Sequence, residues 1–532
     1  MFEIANYVRY FEQGVVVEEV EVWSVNPRTG IRRGQIAQEA SPEAIDRVVR
    51  AAHATRAALS DRTVRARFLR SAADVLDSER EVLAAEADAE TALGVPRLLG
   101  EIARTSGQLR AFADAVDAGE FLGIIIDHAD TGRTPPTPDL RRYKIALGVV
   151  AVYSASNFPF AFSVAGGDTA SAIAAGCPVV VKAHPGHPAT SELTLAALHT
   201  AARRCGIPPE VVQLVHGFDA GVELIHHPEV AGAGFTGSVR GGRALFDAAA
   251  ARSVPIPFHG ELGSLNPVIV TALAAAERAR QIGAALAASV LLGNGQFCVK
   301  PGLVLVPDGD HGDLLIAELT RHMAGSPPAT LLDARIEDNF VTGVAARTNL
   351  PQVTTLIDSD IGDHSVSCAL LSAPADALII DSHHDLLLEE CFGPMTVLVR
   401  YANLDEATAV LDRLSGSLTA TLQVAAQEAS VPGTTAALLD RMSTLAGRVV
   451  VDDWPTGVAV TPAQHHGGPY PASTSTFTSV GTTAIERWLR PVAYQNTTNS
   501  LLPPELQEGN PLNLPRLVDG IHVQRANSRS DS

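Results

Sequence analysis

The chain has 532 residues, of which 46% are hydrophobic and 19% charged, and its formal net charge is −19. That length exceeds what one hydrophobic core supports, so at least two domains are expected. The acidic surface repels phosphate backbones and anionic lipid, which argues against nucleic acid and membrane as partners, though it says nothing of the charge inside a pocket.

From the N-terminus, Met1-Phe2-Glu3-Ile4 opens no basic-then-apolar leader, and no apolar run reaches the ~18–20 residues of a membrane span. Residues 41–120 read as helical. Ser41-Pro42-Glu43 has the form of an N-cap, a first-turn proline and an early acid. Phe68, Ala72, Val75, Leu76, Val82 and Leu83 recur at helical spacing. Ile124-Ile125-Ile126 is a β-type run, Gly132, Pro135, Pro136 and Pro138 mark a bend, and Tyr143 to Tyr153 reads as one apolar strand, together a hairpin or projecting arm. Strands and helices then alternate: a strand at 149–152, a small-residue helix at 163–175, a strand at 179–181, a helix at 190–204 and a strand at 211–215. Apolar strands alternating with helices predict a parallel sheet covered on both faces. A second α/β region runs from about 260 to 460. The end of the chain, Asn527 to Ser532, has a disordered composition.

The five cysteines, Cys177, Cys205, Cys298, Cys368 and Cys391, are odd in number and widely spaced, with no CxxC pair. They form neither a disulfide framework nor a zinc ribbon, and a reducing, cytoplasmic setting fits them. A free cysteine is usually a buried, inert one, and that reading suits Cys177, Cys205 and Cys368. Cys298 differs. Gly293-Asn294-Gly295-Gln296-Phe297-Cys298, with Pro301-Gly302 behind it, can expose the sulfur on a loop near backbone N–H groups, as a nucleophilic thiolate requires. In Phe258-His259-Gly260-Glu261-Leu262-Gly263 a single acid lies among small and apolar residues. Lost solvation there should raise its pKa toward that of a general base. Tyr153-Ser154-Ala155-Ser156-Asn157-Phe158-Pro159 follows a strand directly, where the Asn157 amide could serve an oxyanion; an Asn completing a turn before Pro159 is the plainer reading. Lys182-Ala183-His184-Pro185 ends a strand. Gly234-Phe235-Thr236-Gly237-Ser238-Val239-Arg240-Gly241-Gly242 is a glycine-rich turn able to open a phosphate-binding helix, though it is not the usual GxGxxG fingerprint. Glu389-Glu390-Cys391-Phe392-Gly393-Pro394 is an acidic turn with one aromatic. The pairs His226-His227, His383-His384 and His465-His466 point apart and read as solvated or hydrogen-bonded, so no metal site is expected.

Taken in order, these segments resemble the aldehyde dehydrogenase superfamily over nearly the whole chain, from Val25-Asn26-Pro27 to about Gly520. The combination of Asn-Phe-Pro, a strand-end Lys, Phe-Thr-Gly-Ser, Glu-Leu-Gly, Gly-Gln-x-Cys and Glu-x-Phe-Gly-Pro is highly specific. The resemblance implies an α/β fold with a Rossmann-like cofactor domain (1–126 and 147–258), an α/β catalytic domain (259–465), a β-arm for oligomerisation (127–146 and 466–500) and a C-terminal extension (501–532). It implies a homodimer or homotetramer. By the same resemblance Cys298 is the nucleophile, the Asn157 side chain and Cys298 N–H form the oxyanion hole, and Glu261 activates the water that hydrolyses a thioester. Glu390 holds the nicotinamide ribose with Phe392 beside it, Lys182 reaches the adenosine ribose, and Gly237 and Ser238 border the pyrophosphate, with His184, Pro185, Phe235 and Gly242 in the same cofactor set. Phe158 and Phe297 could line a substrate tunnel, while Phe160 and Phe162 are expected in the core.

Within the superfamily the chain resembles bacterial NADP-dependent 2-oxoglutarate-semialdehyde and fatty-aldehyde dehydrogenases. This rests on 154–159, 166–170, 182–185, Gly468-Pro469-Tyr470-Pro471-Ala472 and 485–492. Pro185 stands where NAD-preferring members often carry a Glu that would repel a 2′-phosphate. With Lys182, His184 and Arg240 as neighbours, NADP is expected, with NAD as the alternative. Val299 and Lys300 follow the cysteine where Thr is commoner at the first position. The small-molecule substrate is an aldehyde, with 2-oxoglutarate semialdehyde leading and a medium- or long-chain fatty aldehyde as alternative. A CoA-acylating enzyme, disfavoured by Glu261, and a non-catalytic nucleotide-binding scaffold, disfavoured by Cys298, Asn157, Glu261 and Glu390 together, are the remaining readings.

Overall fold

A computed structural model of the chain describes residues 20–380, 382–430 and 433–525. The readings of the first four residues and of Asn527 to Ser532 lie outside the described residues. Among those described, no helix is long and apolar enough to cross a membrane.

The N-terminal helices form for the reasons their sequence suggests. Ser41 caps the Pro42–Ala54 helix through a bond from Ala44 N–H. Two long helices follow, α1 (Arg62–Thr91) and α2 (Val95–Ala118). In α1 the spacing of Phe68, Ala72, Val75, Leu76 and Leu83 puts them in the core, whereas Val82, expected with them, is 65% exposed. Val82 sits one residue before Leu83, about 100° round the helix, so both cannot face inward.

A parallel sheet lies against these helices. Its strands are β1 (Val149–Tyr153), β2 (Val179–Lys182), β3 (Val212–Val215), β4 (Val230–Thr236) and β5 (Phe258–Glu261). They are ordered β3-β2-β1-β4-β5. The connections include α3 (Gly167–Ala175), α4 (Pro188–Arg204) and α5 (Val239–Ala251). One apolar cluster, with α1, α2, α3 and α4, covers one face, and a second, with the Pro42–Ala54 helix, covers the other. The strand order reverses direction between β1 and β4, the switch point where open α/β sheets bind ligands beyond their carboxyl ends. Asn157, Lys182, Gly237 and Glu261 all lie at those ends.

The second sheet has seven strands, parallel except at one edge. Its central members are β6 (Val268–Val270), β7 (Leu303–Pro307), β8 (Met395–Tyr401), β9 (Ser417–Gln423) and β10 (Ala446–Val451). Helix α6 (Ala272–Leu291) links β6 to β7, and α7 (Ala334–Thr348) lies between β7 and β8. Separate apolar clusters cover its two faces.

A third sheet of five strands joins Leu489–Gln495, Leu140–Ala146, Ile125–Asp127, Arg516–Val518 and Ile521–Val523. Two expectations change here. The run from Tyr143 to Tyr153 is not one strand: it breaks at Leu147-Gly148, with Gly148 at φ +143°, and its halves enter different sheets. Residues 466–488 hold no strand of this sheet; they fold back along β5, where Glu261 bridges Ser473 and Leu262 N–H donates to Ala472 O. Two motifs quoted for the resemblance meet at this junction: Arg487 pairs with Asp168 at 2.7 Å, and the buried Trp488 donates to Ser171 Oγ at 2.7 Å.

Candidate active site

Three segments converge on Cys298. The first is its own loop. A 3-10 turn over Leu292–Gly295 ends α6, with Gly293, Asn294 and Gly295 all at positive φ. At Gly295 (φ +67°) a Cβ would collide with the Gly393 carbonyl, so only glycine lets this loop close against the 390–394 turn. The buried Asn266, itself at φ +55°, fixes the other side: its Nδ2 donates to Cys298 O at 2.8 Å and Lys300 O at 3.0 Å.

The second segment carries Asn157. Its Nδ2 donates to Gln296 O at 2.9 Å, tying the loop after β1 to the cysteine loop, and Arg97 holds Asn157 O at 2.8 Å. The third is the chain after Gly260. The buried Glu261 receives a bond from Ser479 Oγ at 2.6 Å and pairs with His466 Nε2 at 2.9 Å, while His466 Nε2 lies 3.5 Å from Cys298 Sγ. The sulfur, the imidazole nitrogen and a carboxylate oxygen fall within 4.8 Å of one another, a spacing that would also suit a metal ion.

His466 and Ser479 are the residues that sequence reasoning missed. His465 and His466 do point apart, as adjacent residues must, but the consequence is that His465 stays partly exposed while His466 is 1% exposed and meets the cysteine. No local pattern announces a partner 168 residues from the nucleophile.

The electrostatics correct one expectation. Burial pushes the Glu261 carboxyl up, as anticipated. The charge and hydrogen bond of His466, with the bonds from Ser479 and the Cys298 thiol, more than offset it, and its pKa lies below the ordinary value. The group whose pKa does rise is Glu390, pushed to about 7 by burial, with Lys300 opposing. The Cys298 thiol is pushed well up, first by burial and then by the negative charge of Glu261. Of the five cysteines, four are buried and Cys298 alone is partly exposed. Lys300 neither approaches the sulfur nor points to solvent. It is buried, and its Nζ donates to Cys391 O at 2.9 Å and Met395 O at 2.8 Å, pinning the turn that carries Glu390 and Phe392.

Glu390 reaches across to the other sheet. A Cβ at Gly263 would lie 2.6 Å from Glu390 Oε2 and 3.1 Å from Val239 Cγ2, so the carboxylate stands over the start of α5. There Ser238 caps the helix, accepting from Gly241 N–H at 3.2 Å, beside the exposed Gly237. Gly242 packs against Leu262, and Phe235 packs under the turn between Tyr153 and Phe258. Lys182, at the end of β2, is desolvated to a pKa of about 8, with Glu39 opposing the fall and Arg335 adding to it. His184 is stacked on His187 at 5.4 Å, and burial first, then the neighbouring His187, Lys182 and Arg335, holds it neutral. It therefore adds no positive charge beside Lys182, and Arg335 at the start of α7 is the cation the sequence reading lacked. Pro185 is exposed. Arg240 is exposed too.

Phe158 and Phe297 meet edge-on at 5.2 Å with the Arg97 guanidinium over both rings. Phe160 is fully buried, as expected. Phe162 is not in the core: it is partly exposed, 5.3 Å from the Phe158 ring and 6.4 Å from the imidazole of His466.

Residues 16–469 match the model of the aldehyde dehydrogenase family. The chain belongs to the aldehyde dehydrogenase family. It is 45% identical over 462 residues to alpha-ketoglutaric semialdehyde dehydrogenase 2 of Azospirillum brasilense, covering 86% of this chain and 87% of that protein. It is 41% identical over 519 residues to the alpha-ketoglutaric semialdehyde dehydrogenase of Acinetobacter baylyi, covering 96% and 98%. Among solved structures, NADP-dependent glyceraldehyde-3-phosphate dehydrogenase from Bacillus halodurans C-125 complexed with NADP superposes with a TM-score of 0.76 at 19% identity, over 90% of this chain and 96% of that one, a likeness of fold. As a family member, this aldehyde dehydrogenase oxidises an aldehyde with a nicotinamide dinucleotide.

Proposed function

We propose that the chain oxidises 2-oxoglutarate semialdehyde to 2-oxoglutarate through a thioester on Cys298, with NADP preferred over NAD. The observation that carries the mechanism is the junction of Cys298, His466 and Glu261 at 3.5 and 2.9 Å. The Glu261 carboxylate accepts the thiol proton and passes it to solvent before the later hydrolysis; His466 Nε2, whose own proton goes to that carboxylate, cannot accept it. The sulfur adds to the aldehyde carbon, and the oxygen that becomes negative faces the Asn157 amide and the Cys298 N–H, donors held in place before the charge develops. A nicotinamide dinucleotide held by Glu390, Lys182 and the 237–242 turn would supply the two-electron acceptor needed for this adduct to become a thioester. Glu261, ionised at neutral pH and held by Ser479, then takes the proton of the water that attacks the thioester, and cleavage of the C–S bond returns the thiolate.

The dinucleotide fits the residues beyond the strand ends. Glu390 would accept from the nicotinamide ribose hydroxyls with Phe392 beside it, Gly237, Ser238 and Gly242 would border the pyrophosphate, and Lys182 would meet the adenosine ribose. The NADP preference rests on Pro185 in place of a carboxylate and on the two cations Lys182 and Arg335, which favour a 2′-phosphate. The substrate reading rests on the two relatives above, whose names specify it. The aromatic group of Phe158, Phe162 and Phe297 favours a second reading, an aliphatic aldehyde. We propose also that the parallel five-stranded sheet lies in the cofactor domain, the seven-stranded sheet in the catalytic domain, that the third sheet serves as the arm of a homodimer or homotetramer, and that the enzyme is cytoplasmic.

Steady-state formation of reduced cofactor, with NADP and NAD against 2-oxoglutarate semialdehyde and octanal, tests this. The expected result is the highest kcat/KM for the semialdehyde with NADP, abolished in Cys298→Ala. A preference for octanal would refute the substrate reading, and efficient use of NAD with negligible use of NADP would refute the cofactor reading.

A further inference from the structure

A five-carbon aldehyde acid carries its carboxylate four carbon–carbon bonds, each of about 1.5 Å, from the carbon that reacts. An enzyme selective for it needs a cation at that remove from Cys298. Helix α2 aims one face at the site, and its residues at helical spacing are Arg97, Glu101, Arg104 and Gln108. Glu101 is buried and spends one oxygen on the N–H groups of Phe160 and Ala161, at 2.8 and 2.9 Å. Arg97 also has an Nη1 buried without a hydrogen-bond partner, but its Nη2 makes a 2.8 Å bond to Asn157 O and its guanidinium covers the rings of Phe158 and Phe297.

Arg104 is different. Its guanidinium lies over the Phe162 ring at 5.5 Å, and Phe162 in turn borders His466, the neighbour of the nucleophile. Its Nη2 makes one long bond, 3.5 Å, to Val458 O, and its Nη1 is buried without a hydrogen-bond partner. A guanidinium has five N–H donors in a fork that matches a carboxylate, and a buried cationic donor without a partner is costly. Its electrostatic neighbours are Glu101, Cys298 and Glu261, which fixes it within the field of the reacting centre. Arg448, on β10, is the other cation near Cys298. It is already engaged by Gly457 O at 2.9 Å and by Pro455 O.

We propose that Arg104 binds the carboxylate of the substrate at the end away from the aldehyde, and so selects short aldehyde acids over uncharged aldehydes. The proposal rests on the substrate reading given above and adds the residue that enforces it. Phe162 holds the guanidinium from below, the unpartnered Nη1 faces the arriving carboxylate, and the aldehyde end is left at Cys298. A bidentate Arg–carboxylate pair also sets the direction in which the chain lies, so the same contact orients the carbonyl.

The test compares kcat/KM for 2-oxoglutarate semialdehyde and for pentanal, which has the same carbon count and no charge, in wild type, Arg104→Met and Arg104→Lys. Hydrogen bonds to a charged group imply that the acid-to-pentanal ratio falls about 10- to 100-fold in Arg104→Met. Arg104→Lys, which keeps the charge but loses the fork, should retain part of the ratio. Competitive inhibition by glutarate, which needs no turnover, should weaken by a similar factor. A melting curve on each variant reports folding, and if Arg104→Met does not fold, the ratio in Arg104→Lys and its glutarate inhibition decide. A wild-type enzyme that prefers the acid, with that ratio and glutarate inhibition unchanged in the variants, would overturn the role of Arg104 alone. A wild type that oxidises pentanal but not the semialdehyde would overturn the substrate reading, and the role of Arg104 with it.

Discussion

Replacing Glu261 with glutamine should make Cys298 more reactive toward an alkylating agent, although it removes a proton acceptor from the site. The carboxylate oxygen and the sulfur lie within 4.8 Å. Two unit charges at that separation repel by ~3.5 kcal/mol at an effective dielectric constant of ~20. His466 pairs with the same carboxylate and Cys298 is partly exposed, so screening leaves about half of that repulsion. Its removal raises the thiolate fraction at neutral pH, and the lower basicity of that thiolate takes back roughly half of the gain on a logarithmic scale. Alkylation by iodoacetamide at pH 7.5 without cofactor should therefore run about 3- to 10-fold faster in Glu261→Gln. Intact-mass spectrometry follows the rate and peptide mapping assigns the site, which is simple because the other four cysteines are buried. An unchanged or slower rate would refute the reasoning, since it would mean that Glu261 acts on the resting thiol as a net proton acceptor rather than as a repelling charge.

Three further outcomes are expected. Because burial holds the Glu390 carboxyl near pH 7, it is ionised above that pH and protonated below it. The KM for cofactor should rise as pH falls from 8 to 6 and should be high and flat in Glu390→Gln; a parallel pH dependence in the variant would contradict this. Arg335→Ala should raise the KM for NADP by about fivefold, the modest effect of an exposed charge, and leave that for NAD within about twofold; equal changes for both would remove Arg335 from the 2′-phosphate site. Gly295→Ala should lower stability by about 1–3 kcal/mol, because φ is +67° and the new Cβ meets the Gly393 carbonyl; an unchanged melting temperature would contradict it.

Much of the site was legible because its residues sit in short segments just after strands, where sequence neighbours remain spatial neighbours. Asn157 and Gly237 follow β1 and β4, Lys182 and Glu261 end β2 and β5, and the structure gathers them at one end of one sheet. What failed to show depends on contacts between distant parts of the chain. His466 and Ser479 reach Glu261 across 205 and 218 residues, and their segment carries no periodicity. That missing pair is why the Glu261 carboxyl was expected to rise and instead falls. The place of Lys300 was hidden for a related reason: a lysine two residues from the nucleophile is expected to reach solvent, and the two backbone carbonyls that claim it lie 91 and 95 residues further along the chain. The break between Leu140–Ala146 and Val149–Tyr153 was hidden because Ile145 to Tyr153 is an unbroken run of apolar residues and one glycine, and the positive φ of Gly148 marks the change of sheet.

The most direct test of the account is to trap the covalent intermediate. Enzyme, NADP and 2-oxoglutarate semialdehyde are mixed under single-turnover conditions, quenched with acid within milliseconds and read by intact-mass spectrometry and peptide mapping. The account predicts a transient mass gain equal to the acyl group, located on the peptide that contains Cys298 and longer-lived in Glu261→Gln. Reduced cofactor and 2-oxoglutarate appearing at full rate with Cys298 unmodified throughout, or with the acyl group on another residue, would contradict it.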